Sequence, residues 1–208
     1  MCNMKTGSPL LFEGKNFISF LIRFGGWIGG SGRSKITHIE MALWAPDFSP
    51  LFRSDFNMMD DEFYSLKSTS MSKVKDVFGD FVDGVSITRL QSVIDAEKGR
   101  VWTRGLNKSP SNKDIRALEM LVREIYRRPY EKDTFTELAA AALDRTGYRA
   151  GEDHSSLFCS EIFTWIYNIW DYLKQTDNET TPADYEGEVE LKRGRKFYAL
   201  MPVEEALC

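Results

Sequence analysis

The segment SSLFCSEIFTWIYNIW, residues 155–170, decides how this sequence is interpreted, because it places a cysteine at the start of a helix that is rich in aromatic residues. Ser155 or Ser156 is a suitable N-cap, and Cys159 then lies in the first helical turn. Unpaired N–H groups and the positive end of the helix dipole favour a thiolate there. Cys159 is therefore a candidate nucleophile, although a free cysteine is also often a buried and inert core residue.

A nucleophilic cysteine needs a base, and the sequence contains two histidines, His38 and His154. His38 lies in THIEMALW, residues 37–44, whose alternation predicts a strand with His38 and Glu40 on one face and apolar side chains on the other. A neutral imidazole takes the proton of a thiol, and a carboxylate holds the other ring nitrogen. We expect His38 to be the base with Glu40 as its partner, and His154 is the competing base.

The third member of such a site has alternatives. Two residues on one face of a strand are about 6.5 to 7 Å apart at the backbone, so Glu40 must bend back to reach His38. The segment SPLFRSDF, residues 49–56, is predicted to be the next strand. Ser54 or Asp55 on that strand is therefore an alternative partner for the imidazole.

Composition limits the class of protein. The chain of 208 residues is 42% hydrophobic and 28% charged, which predicts a single globular domain over residues 1–208. A net charge of -4 argues against a nucleic acid partner. Three cysteines without regular spacing, Cys2, Cys159 and Cys208, argue against a disulfide framework and a zinc site. We expect no metal and no cofactor, and a cytoplasmic location, in the host cytoplasm if the source is viral.

Membrane insertion is not expected from the hydropathy pattern. No run reaches the ~18 to 20 uninterrupted apolar residues that a spanning helix needs, and the N-terminus lacks the apolar region of a secretion signal. The segment FISFLIRFGGWIGG, residues 17–30, is predicted to be a helix packed on the core. Its alternative is peripheral contact with lipid or with a hydrophobic substrate.

Further strands are predicted where short apolar runs are bounded by Gly, Pro, Asp or Ser. They are SPLLFEG at 8–14, GVSITRL at 84–90 and KFYALMPV at 196–203. Between the segments 49–56 and 84–90, the mixed charge and high serine content of residues 57–83 predict an inserted loop with some helical propensity.

Two helices are predicted between the strands and the cysteine segment. The first covers 111–128, with Ser111 as N-cap and Asp114 at the third helical position, and Pro129 ends it. The second covers 134–148. The strand with the histidine therefore precedes the helices, and the cysteine helix comes late.

The order of these segments resembles the circularly permuted NlpC-type branch of the papain-like cysteine hydrolases. This group includes YiiX-like bacterial proteins, a poxvirus relative and, more distantly, lecithin-retinol acyltransferase-like enzymes. The resemblance is carried by SPLLFEGKNFISFLIR at 8–23, THIEMALW at 37–44, DGVSITRL at 83–90 and LFCSEIFTWIY at 157–167. RRPYEK at 127–132 and TTPADY at 180–185 resemble the family's tyrosine segment and late proline turn.

The resemblance implies an α+β, papain-like fold in which an antiparallel sheet packs against helices. It also implies that Cys159 is the nucleophile, that His38 is the base, and that Tyr130 supplies a hydroxyl near the oxyanion. The backbone N–H of Cys159 is then the other oxyanion donor. Many relatives carry the acid on the following strand, so Asp55 stays an alternative to Glu40.

The expected function is a thiol hydrolase that cleaves an amide or ester bond through an acyl-enzyme at Cys159. We expect the substrate to be a peptide, an amide or a lipid-like acyl compound. One alternative is an acyltransferase that passes a lipid-like acyl group to an amine or alcohol. The other is a non-catalytic papain-like protein with a binding or virion-type structural role.

Overall fold

The computed structural model describes residues 4–13, 35–69, 72–97, 101–129, 159–174, 184–186, 189–192 and 194–207. Its strands are β1 (Pro9–Glu13), β2 (Ile36–Trp44), β3 (Phe63–Thr69), β4 (Gly84–Arg89), β5 (Val101–Thr103) and β6 (Met201–Pro202). Its α-helices are α1 (Pro50–Asp55), α2 (Leu90–Glu97), α3 (Asn112–Ile125), α4 (Cys159–Ile169) and α5 (Val203–Ala206). Short 3-10 helices cover Ala45–Asp47 and Asp184–Glu186.

The strands of the described residues form one sheet in the order β4-β3-β2-β1-β5-β6. Every neighbouring pair is antiparallel. The prediction of an α+β fold with an antiparallel sheet is confirmed. The strand that carries His38 is β2, which is hydrogen-bonded to β1 on one side and to β3 on the other, so its backbone is fixed from both edges.

Different helices cover the two faces of the sheet. Ile39, Met41 and Leu43 of β2 belong to a larger apolar cluster that includes the buried sides of α3 and α4. Ala42 belongs to a smaller cluster that includes Val93 of α2. Successive residues of β2 therefore enter opposite halves of the core, as the period of a strand requires.

Helix α3 begins at a capping box that its sequence predicts. The predicted capping box is present, because the Ser111 side chain accepts from the N–H of Asp114 and the Asp114 side chain accepts from the N–H of Ser111. The predicted helix is confirmed, and it ends at Ile125, earlier than expected. Arg127 then takes a positive φ of 63° and donates its N–H to the carbonyl of Val85 at 2.9 Å, which directs the chain onto β4.

Gly84 makes this junction possible. It has a φ of +130°, and an added Cβ would overlap the carbonyl oxygen of Arg128. That oxygen accepts the N–H of Val85 at 2.9 Å. The close approach of two backbones and the unusual φ both require glycine here.

The strand predicted for residues 49–56 is wrong, because this segment forms helix α1. Ser49 is its N-cap and accepts from the N–H of Phe52, and Pro50 occupies the first turn. A proline at the start of a helix costs no hydrogen bond, and a preceding serine supplies the cap. These two start signals outweigh the apolar residues that suggested a strand.

The loop predicted for residues 57–83 is wrong for its central part, which forms β3 between β2 and β4. Tyr64 and Leu66 enter the larger cluster, as alternation in a strand requires. Ser65 and Lys67 point to the other side, and both are buried. The sequence does not show the usual alternation of apolar and exposed polar residues, because the second buried face of β3 is polar.

The remaining predictions fall into three groups. The strands predicted at 8–14 and 84–90 are confirmed as β1 and β4. The strand predicted at 196–203 is shorter than expected, since only β6 lies within it and α5 begins at Val203. The helix predicted at 134–148 and the apolar segment 17–30 lie outside the described residues.

Within the described part of the chain, no helix is both long and apolar enough to cross a membrane.

Candidate active site

Helix α4 carries Cys159 as its first residue and packs mainly on β2. Its later turns are held by hydrogen bonds to distant segments. The hydroxyl of Tyr167 donates to the carbonyl of Gly7 at 2.6 Å, and the indole N–H of Trp170 donates to the carbonyl of Asp114 at 2.8 Å. These contacts hold the end of the helix against the segment before β1 and against α3.

His38 lies at an irregularity of the sheet. Phe12 pairs with His38, but the next residue of β1, Glu13, pairs with Ile36, so β2 carries Thr37 as an extra residue. The rings of Phe12 and His38 are 5.4 Å apart. A β-bulge of this kind increases the local twist and re-aims the neighbouring side chains.

His38 lies close to residues that pack in two different apolar clusters. Its pairing partner, Phe12, belongs to the smaller apolar cluster. The partly buried Cys159 packs against the larger cluster, and yet the side chains of His38 and Cys159 are hydrogen-bonded. The strand and the helix therefore bring together the two residues on which the catalytic hypothesis depends.

Glu40 occupies the other side of the imidazole. Its Oε1 atom is 3.2 Å from Nε2 of His38, and its Oε2 atom accepts the hydroxyl proton of Ser65. The side chain of Glu40 is 6% exposed, whereas that of His38 is 25% exposed. Because Nε2 is bonded to Glu40, Nδ1 is the ring nitrogen left for the sulfur of Cys159.

The charges of the site reinforce one another. Burial acts to lower the pKa of His38, but the negative charge and hydrogen bond of Cys159, together with those of Glu40, outweigh it and raise the pKa to about 10. The coupling is reciprocal, so an imidazolium at His38 favours the thiolate form of Cys159. At neutral pH the arrangement favours a cation between two anions.

The carboxylate of Glu40 stays ionised although it is buried. Burial acts to raise its pKa, but the hydrogen bond from His38, the positive charges of Lys67 and His38, and the hydrogen bond from Ser65 lower the pKa below its usual value. Glu40 therefore accepts a hydrogen bond from the imidazole as a carboxylate, which is the form that stabilises an imidazolium.

The alternative third residues are not at this position. Ser54 and Asp55 lie on α1 and are exposed, and Oδ2 of Asp55 is 2.6 Å from a guanidinium nitrogen of Arg123. The structure does not bring either residue to His38, because the segment that carries them is a helix rather than the next strand of the sheet. The strand beside β2 is β3, and it supplies Ser65 instead.

Ser65 and Lys67 were missed by sequence reasoning. The signal that could have found them is the segment FYSLKST, residues 63–69, in which apolar and polar residues alternate. Tyr130 and His154, the other residues singled out from the sequence, lie outside the described residues.

A metal centre is not indicated by the described side chains, since no group of three or more His, Cys, Asp or Glu among them is placed to hold an ion. Comparison of the sequence with models of known protein families and with curated proteins finds no match. The function of this chain is therefore inferred from the geometry of the site.

Proposed function

We propose that this chain is a thiol hydrolase with a papain-like fold of the permuted NlpC type, which cleaves an amide or ester bond through an acyl-enzyme at Cys159. The observation that carries the proposal is the position of His38, hydrogen-bonded to the sulfur of Cys159 on one side and to the carboxylate of Glu40 on the other. A nucleophile, a base and a residue that orients the base are the three parts of such a site.

In the acylation step, the thiolate of Cys159 attacks the carbonyl carbon of the substrate. A C–S bond forms, and the electron pair of the C=O bond moves to oxygen. Cys159 is the first residue of α4, so it lies at the positive end of the helix dipole. Its backbone N–H is the proposed oxyanion donor, at a place where a hydrogen bond stabilises the negative charge that develops on oxygen.

The tetrahedral intermediate then expels its leaving group. His38, as an imidazolium, gives its proton to the departing amine or alkoxide and becomes neutral. The acyl group stays on sulfur as a thioester. Neutral His38 next takes a proton from water as the water oxygen attacks the thioester, and the departing thiolate restores the initial ion pair with the imidazolium.

Glu40 acts on the imidazole rather than on the substrate. Its bond to Nε2 fixes the orientation of the ring and keeps a proton on that nitrogen whenever His38 is neutral. The other ring nitrogen then faces sulfur and can exchange a proton with the leaving group or with water. The 25% exposure of the His38 side chain gives water access to the base, and this favours hydrolysis over transfer to another acceptor.

Site-resolved alkylation tests the proposal without a known substrate. At pH 6 a free thiol with a pKa of about 8.5 is only about 0.3% thiolate. We expect iodoacetamide to label Cys159 at least about tenfold faster than Cys2 and Cys208 of the same protein, as read by peptide mass spectrometry, because the imidazolium stabilises its thiolate. His38→Ala should remove this difference.

Two results would contradict the proposal. One is labelling of Cys159 no faster than of the other two cysteines at pH 6. The other is a rate that His38→Ala leaves unchanged. Either result would favour a papain-like scaffold without catalysis. If the labelling result is positive, hydrolysis of activated peptide, amide and acyl esters by wild type, with Cys159→Ala as control, identifies the substrate class.

A further inference from the structure

The carboxylate of Glu40 is held from two strands. Oε1 bonds to His38 on β2, and Oε2 accepts the hydroxyl of Ser65 on β3. Ser65 is fully buried. With both oxygens engaged, the carboxylate has one orientation, and a hydrogen bond to a charged group is among the stronger ones in proteins.

Lys67 lies on the same face of β3 as Ser65. In the β2–β3 ladder Ala42 pairs with Ser65 and Met41 with Leu66, so the next step of the same register brings Lys67 opposite Glu40. Lys67 is slightly more buried than Glu40, at 4% exposed against 6%. A lysine is rarely buried unless an opposite charge lies close by.

The ammonium group of Lys67 is held in place by a short chain of hydrogen bonds. Nζ donates to the hydroxyl of Ser72 at 2.8 Å, and that hydroxyl donates to the carbonyl of Val74 at 2.5 Å. Three carboxylates act on Lys67: Glu40 of β2, Asp76 of the loop before β4, and Glu97 of α2. Burial lowers the pKa of Lys67, and these negative charges act against that.

We propose that Ser65 and Lys67 are positioning residues of the site, through which the orientation and the charge of Glu40 are maintained. This inference rests on the proposed function. Ser65 fixes the carboxylate so that Oε1 faces the imidazole. Lys67 supplies a positive charge in the interior, where an uncompensated carboxylate is costly.

The catalytic cycle explains why a second cation is useful. When His38 gives its proton to the leaving group, Glu40 loses the imidazolium that partly compensates its charge. A buried carboxylate then tends to take up a proton. Lys67 keeps Glu40 ionised through this neutral stage, so that the carboxylate can stabilise the imidazolium again when water is deprotonated.

The test uses the pH dependence of iodoacetamide alkylation at Cys159. Lys67→Met removes the charge and keeps much of the volume, and Lys67→Arg keeps the charge. We expect Lys67→Met to move the acid limb of the alkylation profile upward by about one pH unit, because Glu40 is then protonated at higher pH. Lys67→Arg should stay close to wild type.

The dependence on Glu40 separates a positioning role from a structural one. In a Glu40→Gln background, which has no carboxylate to maintain, Lys67→Met should cause no further shift. Ser65→Ala should slow alkylation at pH 7 by about tenfold, since a bond to a charged group is lost, and Ser65→Thr should restore it. Should Lys67→Met not fold, as judged by thermal unfolding, Lys67→Gln replaces it.

The inference is overturned if Lys67→Met leaves the acid limb in place, or if the shift is the same in the Glu40→Gln background. His38→Ala in the same series distinguishes this failure from that of the proposed function. If His38→Ala slows alkylation while Lys67→Met does not alter its pH dependence, only the positioning role fails. If His38→Ala also has no effect, the proposed function fails.

Discussion

Nε2 of His38 lies 3.2 Å from Oε1 of Glu40, although the two residues are separated by a single residue on strand β2. The contact requires the longer side chain to bend back along the strand. The orientation of the imidazole is therefore fixed by its own strand and by Ser65 of the neighbouring one. Cys159, the first residue of α4, comes to the ring from a distant part of the chain.

Replacement of Glu40 by Gln should lower the pKa of His38. The hydrogen bond and the charge of Glu40 both raise that pKa, which is about 10 in the wild type. NMR titration of the imidazole should therefore show a lower midpoint in Glu40→Gln. Asp55→Asn is the matched control, because Asp55 is exposed and bonded to Arg123, and it should leave the midpoint unchanged. An equal midpoint in wild type and Glu40→Gln would show that Glu40 does not act on the ring.

Replacement of Cys159 by Ala should make the free energy of unfolding depend less strongly on pH in the alkaline range. The raised pKa of His38 contributes stability that is complete below its unfolded value of about 6.5. This contribution is lost as the pH rises through the folded value of about 10. Since Cys159→Ala removes the anion that raises the pKa, its free energy of unfolding should fall less steeply than that of wild type between about pH 8 and 10. Urea titrations across this range measure the slopes, and equal slopes would contradict the ion pair.

Asp76 should be a major stabilising residue of the loop before β4. Its buried carboxylate accepts from the N–H groups of Phe78 and Asp80 and from the hydroxyl of Tyr126, at 2.6 Å from the hydroxyl oxygen. Asp76→Ala should cost about 2 kcal/mol or more in the free energy of unfolding at pH 7, because the donors are left without a partner. Asp80→Asn, at an exposed position, should cost much less. Comparable losses in the two variants, measured by urea denaturation, would refute this assignment.

The carboxylate of Asp76 also affects how the stability of the protein changes with acid pH. Burial acts to raise the pKa of Asp76, but the bonds from Tyr126 and the backbone and the charge of Arg127 lower it. A lowered pKa gives stability that is present above the unfolded value of about 3.9 and is lost as the pH falls through the folded value. Between pH 5 and 2, wild type should therefore lose more stability than Asp76→Asn, which has no carboxylate there to protonate.

Gly84→Ala should be strongly destabilising, by more than about 2 kcal/mol, because it combines an unfavourable φ with overlap against the carbonyl of Arg128. Gly79→Ala is a useful comparison, since Gly79 has a φ of +90° but nothing lies within 4 Å of its added Cβ. It should cost only about 1 kcal/mol, from the backbone conformation alone. Thermal unfolding of both variants tests the junction of α3 with β4, and a similar small cost in the two would argue against it.

The sequence predicted those elements whose signals are local. Helix α3 has a capping box, and its apolar residues recur at helical spacing. Strands β1, β2 and β4 are short apolar or alternating runs between turn residues. The sequence pattern does not predict strand β3, because the side of it that carries Ser65 and Lys67 is polar yet buried. The apolar residues of 49–56 predict a strand, but the N-cap Ser49 and the first-turn Pro50 make this segment helix α1.

The site was predictable in its parts but not in its arrangement. His38, Glu40 and Cys159 could be chosen because each has a side chain suited to the proposed chemistry and lies in a recognisable local pattern. Ser65 and Lys67 could not, since their relation to Glu40 depends on the register between β2 and β3. Asp55 lies on helix α1 and not on the strand that the sequence predicted for residues 49–56. Its carboxylate forms an ion pair with Arg123.

The wide separation of His38 and Cys159 along the chain has a consequence for biosynthesis. Strands β1 to β4 are contiguous neighbours in the sheet, so the half of the site that contains the imidazole can assemble from the first half of the polypeptide. The thiol is translated much later, and α4 must dock on β2 before sulfur and ring meet. If Cys159 has the proposed function, its thiol stays an ordinary cysteine thiol in the nascent chain until this late helix has joined the sheet.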